Sequence, residues 1–232
     1  MINSYQSYNP PHLTDCVVWL NLDPNLREYT DGTSNVENWK NALDISDVYT
    51  NTNSSRRPLD TGTSYSFDGG DWLSSGTDRV FDTSATGWAV VFRYFCDDWT
   101  VTDSILGDDT SNNFLIKNNG ATGIAVKAHN GSAASNKGLA YDTPGTLTNG
   151  QYYNILLTCD TTGEMFCWID GVKQAATPNF PDNTYDLTLD EVGAKNGNTM
   201  QLTGDIQELM LYNAYLDDTK AANVSAYLNN KF

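Results

Sequence analysis

The stretch from residue 86 to residue 96 constrains the fold more than any other part of this sequence. Two sets of side chains alternate along it: Trp88, Val90, Phe92 and Tyr94 in one set, and Ala89, Val91, Arg93 and Phe95 in the other. A period of two is typical of a β-strand. Because both sets are largely apolar, we expect a central strand that is covered on both of its faces.

Further short strands, most of them separated by turn residues, are predicted at residues 16–22, 36–39, 64–67, 104–107, 113–117, 123–129, 152–160, 164–169, 186–193 and 205–212. About ten short strands of this kind favour an all-β jelly-roll sandwich of two antiparallel sheets over alternating strands and helices. One short C-terminal helix is predicted at residues 218–229, with Asp217 or Asp218 as its N-cap. We expect an N-terminal arm at residues 1–12 and a single domain at residues 13–232.

The charge is strongly acidic, and one residue type supplies most of it. The chain carries 24 Asp and 5 Glu against 13 Lys and Arg, so its net charge is −16. Aspartate favours turns, whereas glutamate favours helix interiors, so many loops and few helices are expected. The lack of a basic surface argues against binding to nucleic acid or to an anionic membrane. Since no apolar run is long enough, we expect no membrane-spanning helix.

The cysteines and the N-terminus indicate neither a metal motif nor a secretion signal. No pair has the CxxC spacing of zinc and redox sites, and buried free thiols are expected at Cys16, Cys96, Cys159 and Cys167. A disulfide between Cys159 and Cys167 stays open, because both can lie on one face of a hairpin. The first residues contain no apolar segment of a signal peptide, so none is expected.

Several segments, taken in order, resemble the concanavalin A-like lectin/glucanase superfamily in its laminin-G-like branch. They are Val-Val-Trp-Leu-Asn-Leu-Asp at 17–23, Val-Glu-Asn-Trp at 36–39, Ser-Phe-Asp-Gly-Gly-Asp-Trp-Leu at 66–73, the hairpin at 153–160 and 166–171, and the closing stretch at 202–216. Tyr153 stands where the family usually has Trp, and Cys159 and Cys167 stand where it usually has Tyr. The resemblance implies a jelly-roll sandwich and packing roles for most of the matched residues.

The same resemblance argues against catalysis. Glucanase members carry their acids in an ExDxE-like run on one strand, and no such run occurs here, because all five glutamates are isolated. An enzyme is therefore the least favoured class, and neither binding nor assembly is excluded.

The first functional hypothesis is a non-catalytic structural protein of a bacteriophage virion: a capsid decoration, a head fibre or a tail adhesin. Laminin-G-like modules of this kind occur in such proteins. It would be assembled in the host cytoplasm and displayed on the virion surface, with other virion proteins or further copies of itself as partners. The assembly-contact candidates are the apolar residues and prolines of the arm: Met1, Ile2, Tyr5, Tyr8, Pro10 and Pro11.

The second hypothesis is a carbohydrate-binding module of a secreted, extracellular bacterial protein. The loop after the central strand carries Asp97, Asp98, Trp99 and Asp103, and we expect Trp99 to lie outside the core as a sugar-stacking ring. The same carboxylates are ligands of the kind that Ca²⁺ takes, so a Ca²⁺ site is a further hypothesis. The two functions are compatible, because a virion adhesin can also bind a cell-surface polysaccharide.

Overall fold

The computed structural model describes residues 10–12, 14–29, 33–108, 115–118, 123–127, 147–174, 187–196 and 199–232. Within these ranges the chain forms two antiparallel β-sheets and one α-helix. The predicted all-β jelly-roll sandwich with a C-terminal helix is confirmed. No helix in the described part of the chain has both the length and the apolar composition needed to cross a membrane.

Sheet A contains the predicted central strand. In spatial order its strands are β14 (Val172–Lys173), β13 (Met165–Ile169), β12 (Gln151–Cys159), β8 (Trp88–Cys96), β16 (Thr203–Tyr212), β6 (Tyr65–Asp68) and β5 (Leu59–Asp60), with β1 (Cys16–Leu20) also paired to β16. The strand β8 lies between β12 and β16, as expected of a segment that is apolar on both faces.

Sheet B packs against sheet A. Its order is β11 (Ile124–Lys127), β10 (Leu115–Asn118), β9 (Ser104–Gly107), β15 (Leu187–Val192), β7 (Leu73–Phe81), β4 (Asp44–Thr50), β3 (Val36–Asn41) and β2 (Arg27–Tyr29). The segment before β3 also pairs with β5, since Val36 N donates to Pro58 O and Asp60 N donates to Ser34 O, both at 2.8 Å. The two sheets are therefore linked along this side of the sandwich.

The core between the sheets is built from alternate positions of their strands. Val90, Phe92 and Tyr94 of β8 point into it and are fully buried. From sheet B, Trp39 packs edge-on against Tyr65, with 4.4 Å between ring centroids. Burying one such large apolar side chain stabilises a fold by about 1.5–3 kcal/mol, so these alternating positions drive the pairing of the sheets.

The helix α1 (Asp218–Lys231) covers part of the outer face of sheet A. Asp217 is its N-cap, because its side chain accepts a hydrogen bond from Lys220 N at 2.9 Å. The buried side of α1 packs on the outward set of β8 and its neighbours, in a cluster that includes Ala89, Val91, Leu156, Trp168, Met210, Tyr212, Ala221, Val224, Tyr227 and Leu228. The predicted helix and one of its two predicted caps are confirmed.

All four cysteines are buried free thiols. Burial raises the pKa of Cys16 to about 12 and raises that of Cys159 further still, which keeps both thiols protonated and unreactive. The expectation of free thiols is confirmed, and Cys159 and Cys167 do not form a disulfide.

Candidate functional site

Trp99, the predicted sugar-stacking residue, lies in the core. Its side chain has 0% exposure, and its ring packs edge-on against Tyr94 at 5.5 Å and Tyr153 at 6.2 Å between centroids. Its Nε1 donates to Thr148 O at 3.2 Å. The expected exposure of Trp99 is wrong, because the chain after β8 folds back and uses the ring to fill the end of the sandwich.

The three acidic candidates of the same loop are placed differently from one another. Asp97 is exposed, and Asp98 Oδ1 accepts from the backbone N and Oγ1 of Thr100 at 2.9 and 2.7 Å. Asp103 is buried, and its Oδ2 accepts from Thr203 N at 3.0 Å. Among the described residues, no three acidic, histidine or cysteine side chains are arranged to hold a metal ion, so Asp97, Asp98 and Asp103 do not form a three-carboxylate cluster.

The assembly-contact candidates lie at the edge of what the structure describes. Met1, Ile2, Tyr5 and Tyr8 are outside the described residues. Pro10 is buried, and the carbonyl oxygen of Pro11 accepts a hydrogen bond from the Tyr212 hydroxyl at 3.2 Å. The end of the predicted arm therefore packs on the chain's own sheet A.

Sheet A has an outward row of side chains that α1 does not cover. The cross-strand pairs Tyr152–Phe95, Phe95–Asp205, Asp205–Ser66 and Ser66–Leu59 align these residues across β12, β8, β16, β6 and β5. On β12, β8, β16 and β6 the neighbouring strand positions include core residues, so these four members point outward. Leu59 is the direct cross-strand partner of Ser66 and is exposed, so it lies on the same face. We call Tyr152, Phe95, Asp205, Ser66 and Leu59 the open row. With strands about 4.8 Å apart, it is about 19 Å long.

Arg93 lies on the same outward face as Phe95, two residues earlier in β8. Its Nε donates to Gln207 Oε1 at 2.6 Å and its Nη1 donates to Asn154 Oδ1 at 2.8 Å. Its guanidinium carbon lies over the rings of Tyr152 and Phe232, 5.2 and 4.9 Å from their centroids. Burial lowers the pKa of Arg93, and the charge of Asp170 opposes that effect. Within the described residues, Arg93 forms no salt bridge and Nη2 has no acceptor.

The two acceptors that hold Arg93 are themselves fixed. Gln207 Nε2 donates to Thr63 O at 2.8 Å, and Asn154 Nδ2 donates to Asn229 Oδ1 of α1 at 2.6 Å. A side chain held on both sides in this way loses little further freedom when a ligand binds, so the guanidinium is preorganised.

Two aromatic rings and a carboxylate stand beside Arg93 at one end of the open row. The centroids of Phe95 and Tyr152 are 5.1 Å apart, with both rings half-buried. Asp205 Oδ2 accepts from the Tyr152 hydroxyl and from Ser64 Oγ, each at 3.1 Å. Apolar ring faces next to fixed polar groups are the composition of a site for a ligand that has both apolar and hydroxyl surfaces.

A pocket of about 290 Å³ lies at the other end of the open row. We call it the edge pocket; it is lined by Asn35, Ser54, Ser55, Arg57, Leu59, Ser66, Asp68 and Asp71. A second pocket of about 360 Å³ includes Asp60 and Ser34, and there Arg27 and Tyr29 both bond to Asp60. Since Leu59 and Asp60 are successive strand residues, the two pockets lie on opposite sides of β5.

The floor of the edge pocket is rigid and contains a perturbed carboxyl group. Arg57 Nε donates to Asn51 O at 2.6 Å, and its Nη2 lies 3.3 Å from Glu37 Oε1. Asp71 Oδ2 accepts from the backbone N of Asp68 at 3.1 Å. Burial, with a contribution from the Asp68 carboxylate, raises the pKa of Asp71 to about 7.

Sequence reasoning missed this face because its members belong to five different strands. A usable signal was present in Arg93, the single charged residue of β8 (Trp88–Cys96). A charge in a strand that is otherwise apolar on both faces indicates that part of one face is open. Tyr152, Asp205 and Ser66 gave no such signal, since each is an ordinary strand-end residue until the register aligns them.

The fold and the open face together define a β-sandwich with a polar and aromatic surface on one sheet. A family profile described as the concanavalin A-like lectin/glucanases superfamily, of the laminin G type, matches residues 67–222. The match covers more than half of the chain, and the chain belongs to this family. No curated protein sequence matches the chain.

Solved structures of low sequence identity share the fold. Trypanosoma rangeli sialidase matches 94% of this chain with 13% identity and a TM-score of 0.61, and the match covers 33% of the sialidase chain. The chain thus spans about a third of that enzyme's length. Domain 4 of AbnA, a GH43 extracellular arabinanase from Geobacillus stearothermophilus in complex with arabinotriose, matches 91% of this chain and 98% of that domain, with 15% identity and a TM-score of 0.57. At these identities the likeness shows the sandwich fold alone.

Proposed function

We propose that this chain is a non-catalytic carbohydrate-binding domain and that the open face of sheet A binds the sugar. The observation that carries the proposal is Arg93, a guanidinium preorganised by Gln207 and Asn154 beside the ring of Tyr152, with no salt-bridge partner among the described residues. An arginine in this state offers donors to a ligand without first breaking an ion pair.

The neighbours of Arg93 complete a surface suited to sugars. The apolar faces of a sugar ring can pack on Phe95 and Tyr152, while its hydroxyls meet Arg93 as donor and Asp205 as acceptor. The likeness to a domain solved with arabinotriose supports this use of the fold.

The hydrogen bonds that the carboxylates of this face already make favour a binding role over hydrolysis. Glycosidases generally place two carboxyl groups about 5–10 Å apart around the bond that they cleave. Within the open row, Asp205 is the single acid, and its Oδ2 already accepts two hydrogen bonds. Asp68 Oδ1 accepts from Gly70 N at 2.9 Å and Asp71 Oδ2 accepts from Asp68 N at 3.1 Å, so both carboxylates near Asp205 are engaged by the protein itself.

The test is binding to an array of neutral and acidic oligosaccharides by the wild type, Arg93→Ala and Phe95→Ala. We expect both substitutions to weaken binding of the best array sugar by about tenfold or more, because each removes a side chain that contacts the sugar directly. Calorimetry with that sugar gives the affinities.

Phe166→Ala is the matched control. Phe166 is also a half-buried phenylalanine on the outer face of sheet A, but it packs beside Trp168 and Tyr215, away from Arg93. Its loss should leave sugar affinity unchanged. Wild-type failure to bind any array sugar, or equal weakening by all three substitutions, would overturn the proposal.

The virion role and the multimeric state remain predictions from the sequence. A virion adhesin and an extracellular binding module would both use the same open face. Mass spectrometry of purified phage particles and of the cell-free supernatant distinguishes them, since detection only in the supernatant would exclude the virion role.

A further inference from the structure

We infer that the open row and the edge pocket form one continuous site that takes a neutral oligosaccharide chain lying across the five strands. The inference rests on the proposed function and adds the length, direction and charge of the ligand. The site at Arg93 then binds one unit of a longer sugar chain rather than a single sugar.

Continuity follows from residues that the two regions share. Ser66 and Leu59 belong to the open row and also line the edge pocket. Asp68 is two residues beyond Ser66 in β6 and so lies on the same face. Leu59 is 46% exposed, which leaves an apolar surface between the row and the pocket. The aromatic pair and the pocket are then the two ends of one surface about 19 Å long, longer than a single sugar ring requires.

The charge along this surface argues against an acidic chain. Arg93 and Arg57 are opposed by Asp205 and Asp68, and Arg57 is already engaged by Asn51 O and Glu37. The protein as a whole carries −16. An anionic sugar would be repelled on approach, whereas the hydroxyls of a neutral sugar can use the carboxylates as acceptors and the arginine as donor.

The direct test uses neutral oligosaccharides of two to six units, with arabino-, xylo-, manno- and gluco-series in parallel. For the series that binds the wild type, we expect affinity to rise by about tenfold or more from the disaccharide to the pentasaccharide, as successive units reach the edge pocket. A sialylated or uronic-acid oligosaccharide of equal length should bind more weakly, and raising the salt concentration should reduce that difference.

Ser54→Trp and Ser34→Trp form the matched pair of variants. Both serines are exposed; Ser54 lines the edge pocket, and Ser34 lines the pocket on the opposite side of β5. Ser54→Trp should abolish the gain from chain length while leaving disaccharide affinity intact, and Ser34→Trp should behave like the wild type.

Three results contradict the inference in distinguishable ways. Affinity that is independent of chain length, or tightest for an acidic chain, would overturn the inference and leave the proposed function standing. Equal effects of the two tryptophan substitutions would exclude the edge pocket from the site. Failure to bind any oligosaccharide would overturn the proposed function together with the inference.

Discussion

Glu208 is a completely buried carboxylate between sheet A and α1, and three donors from two elements converge on it. Trp19 Nε1 of β1 and the Tyr227 hydroxyl of α1 donate to Oε1 at 2.7 and 2.6 Å, and Lys231 Nζ donates to Oε2. A buried charge is tolerated only when it is paired and hydrogen-bonded in this way. This one residue therefore ties the helix that borders the open face to the sheet beneath it.

Replacing Glu208 by Ala should lower the free energy of unfolding by about 2–4 kcal/mol, because it leaves three buried or half-buried donors without their acceptor. Glu208→Gln should cost less, since its amide oxygen can still accept. Glu28, an exposed residue that also bonds to a lysine, supplies the control Glu28→Ala, for which little change is expected. Urea denaturation measures all three; equal stability of Glu208→Ala and Glu28→Ala would contradict the role of Glu208.

Asp71 makes part of the stability depend on pH. An aspartate in an unfolded chain has a pKa of about 3.9, whereas burial beside Asp68 raises the pKa of Asp71 to about 7 in the fold. Between those values the folded state holds a proton that the unfolded state releases, so stability falls as pH rises from about 4 to about 7. We expect the melting temperature of Asp71→Asn to exceed that of the wild type by a margin that grows with pH and reaches several degrees at pH 8.

Asp98 provides a control because its pKa shift has the opposite sign to that of Asp71. The hydrogen bonds from Thr100 lower its pKa, so its contribution to stability is present above the unfolded pKa and is lost as pH falls. Asp98→Asn should therefore be less stable than the wild type, and the difference in stability should be largest at neutral pH and smallest in acid. A difference between Asp71→Asn and the wild type that is constant from pH 4 to pH 8 would show that Asp71 titrates normally.

At the scale of secondary structure, the stability of α1 depends on the residues of its first turn. Asp217 caps the backbone N of Lys220, and Asp218 at the first helical position adds a favourable negative charge. Asp217→Ala should cost about 1 kcal/mol of stability. Asn223→Ala, an exposed change in the middle of the same helix, should be neutral or slightly stabilising, because alanine is the better helix former. Thermal denaturation that ranks the two variants the other way would contradict Asp217 as the cap.

Strand prediction succeeded where both the alternation and the burial were strong. The hairpin predicted at residues 152–160 and 164–169 is confirmed as β12 and β13, and residues 104–107 are strand β9. The sequence missed most of β7 (Leu73–Phe81) and all of β4 (Asp44–Thr50), in which most positions are polar and few are buried. In β4 only Tyr49 is fully buried, so too few apolar residues alternate to indicate a strand.

The candidate site was harder to predict than the fold for a geometric reason. Trp99 looked exposed because it follows a strand in an acidic loop, yet its burial depends on how that loop turns back onto Tyr94 and Tyr153. The open row exists only once five strands are in register, and no local pattern encodes the register of strands that are distant in sequence. Arg93 was the one member whose sequence context alone was unusual.

At the scale of the whole molecule, the net charge of −16 acts on stability as a diffuse repulsion. Salt screens charges that lie further apart than about 10 Å at 0.1 M ionic strength, so it weakens this repulsion in the compact state. We expect the melting temperature to rise by about 2–8 °C between 10 and 300 mM NaCl, which corresponds to about 1–2 kcal/mol for a chain of this size.

Comparing divalent cations distinguishes this diffuse screening of charge from the binding of an ion at a specific site. Because no three suitable side chains in the described part of the chain are arranged to hold a metal, CaCl₂ should stabilise the protein no more than MgCl₂ of equal ionic strength, and EDTA should leave the melting temperature unchanged. A rise specific to Ca²⁺ would contradict this and would restore the sequence prediction of a Ca²⁺ site. Repeating the titration with Asp97→Asn and Asp98→Asn would then decide whether the loop after β8 holds the ion, since loss of the Ca²⁺ effect in both variants would place it there.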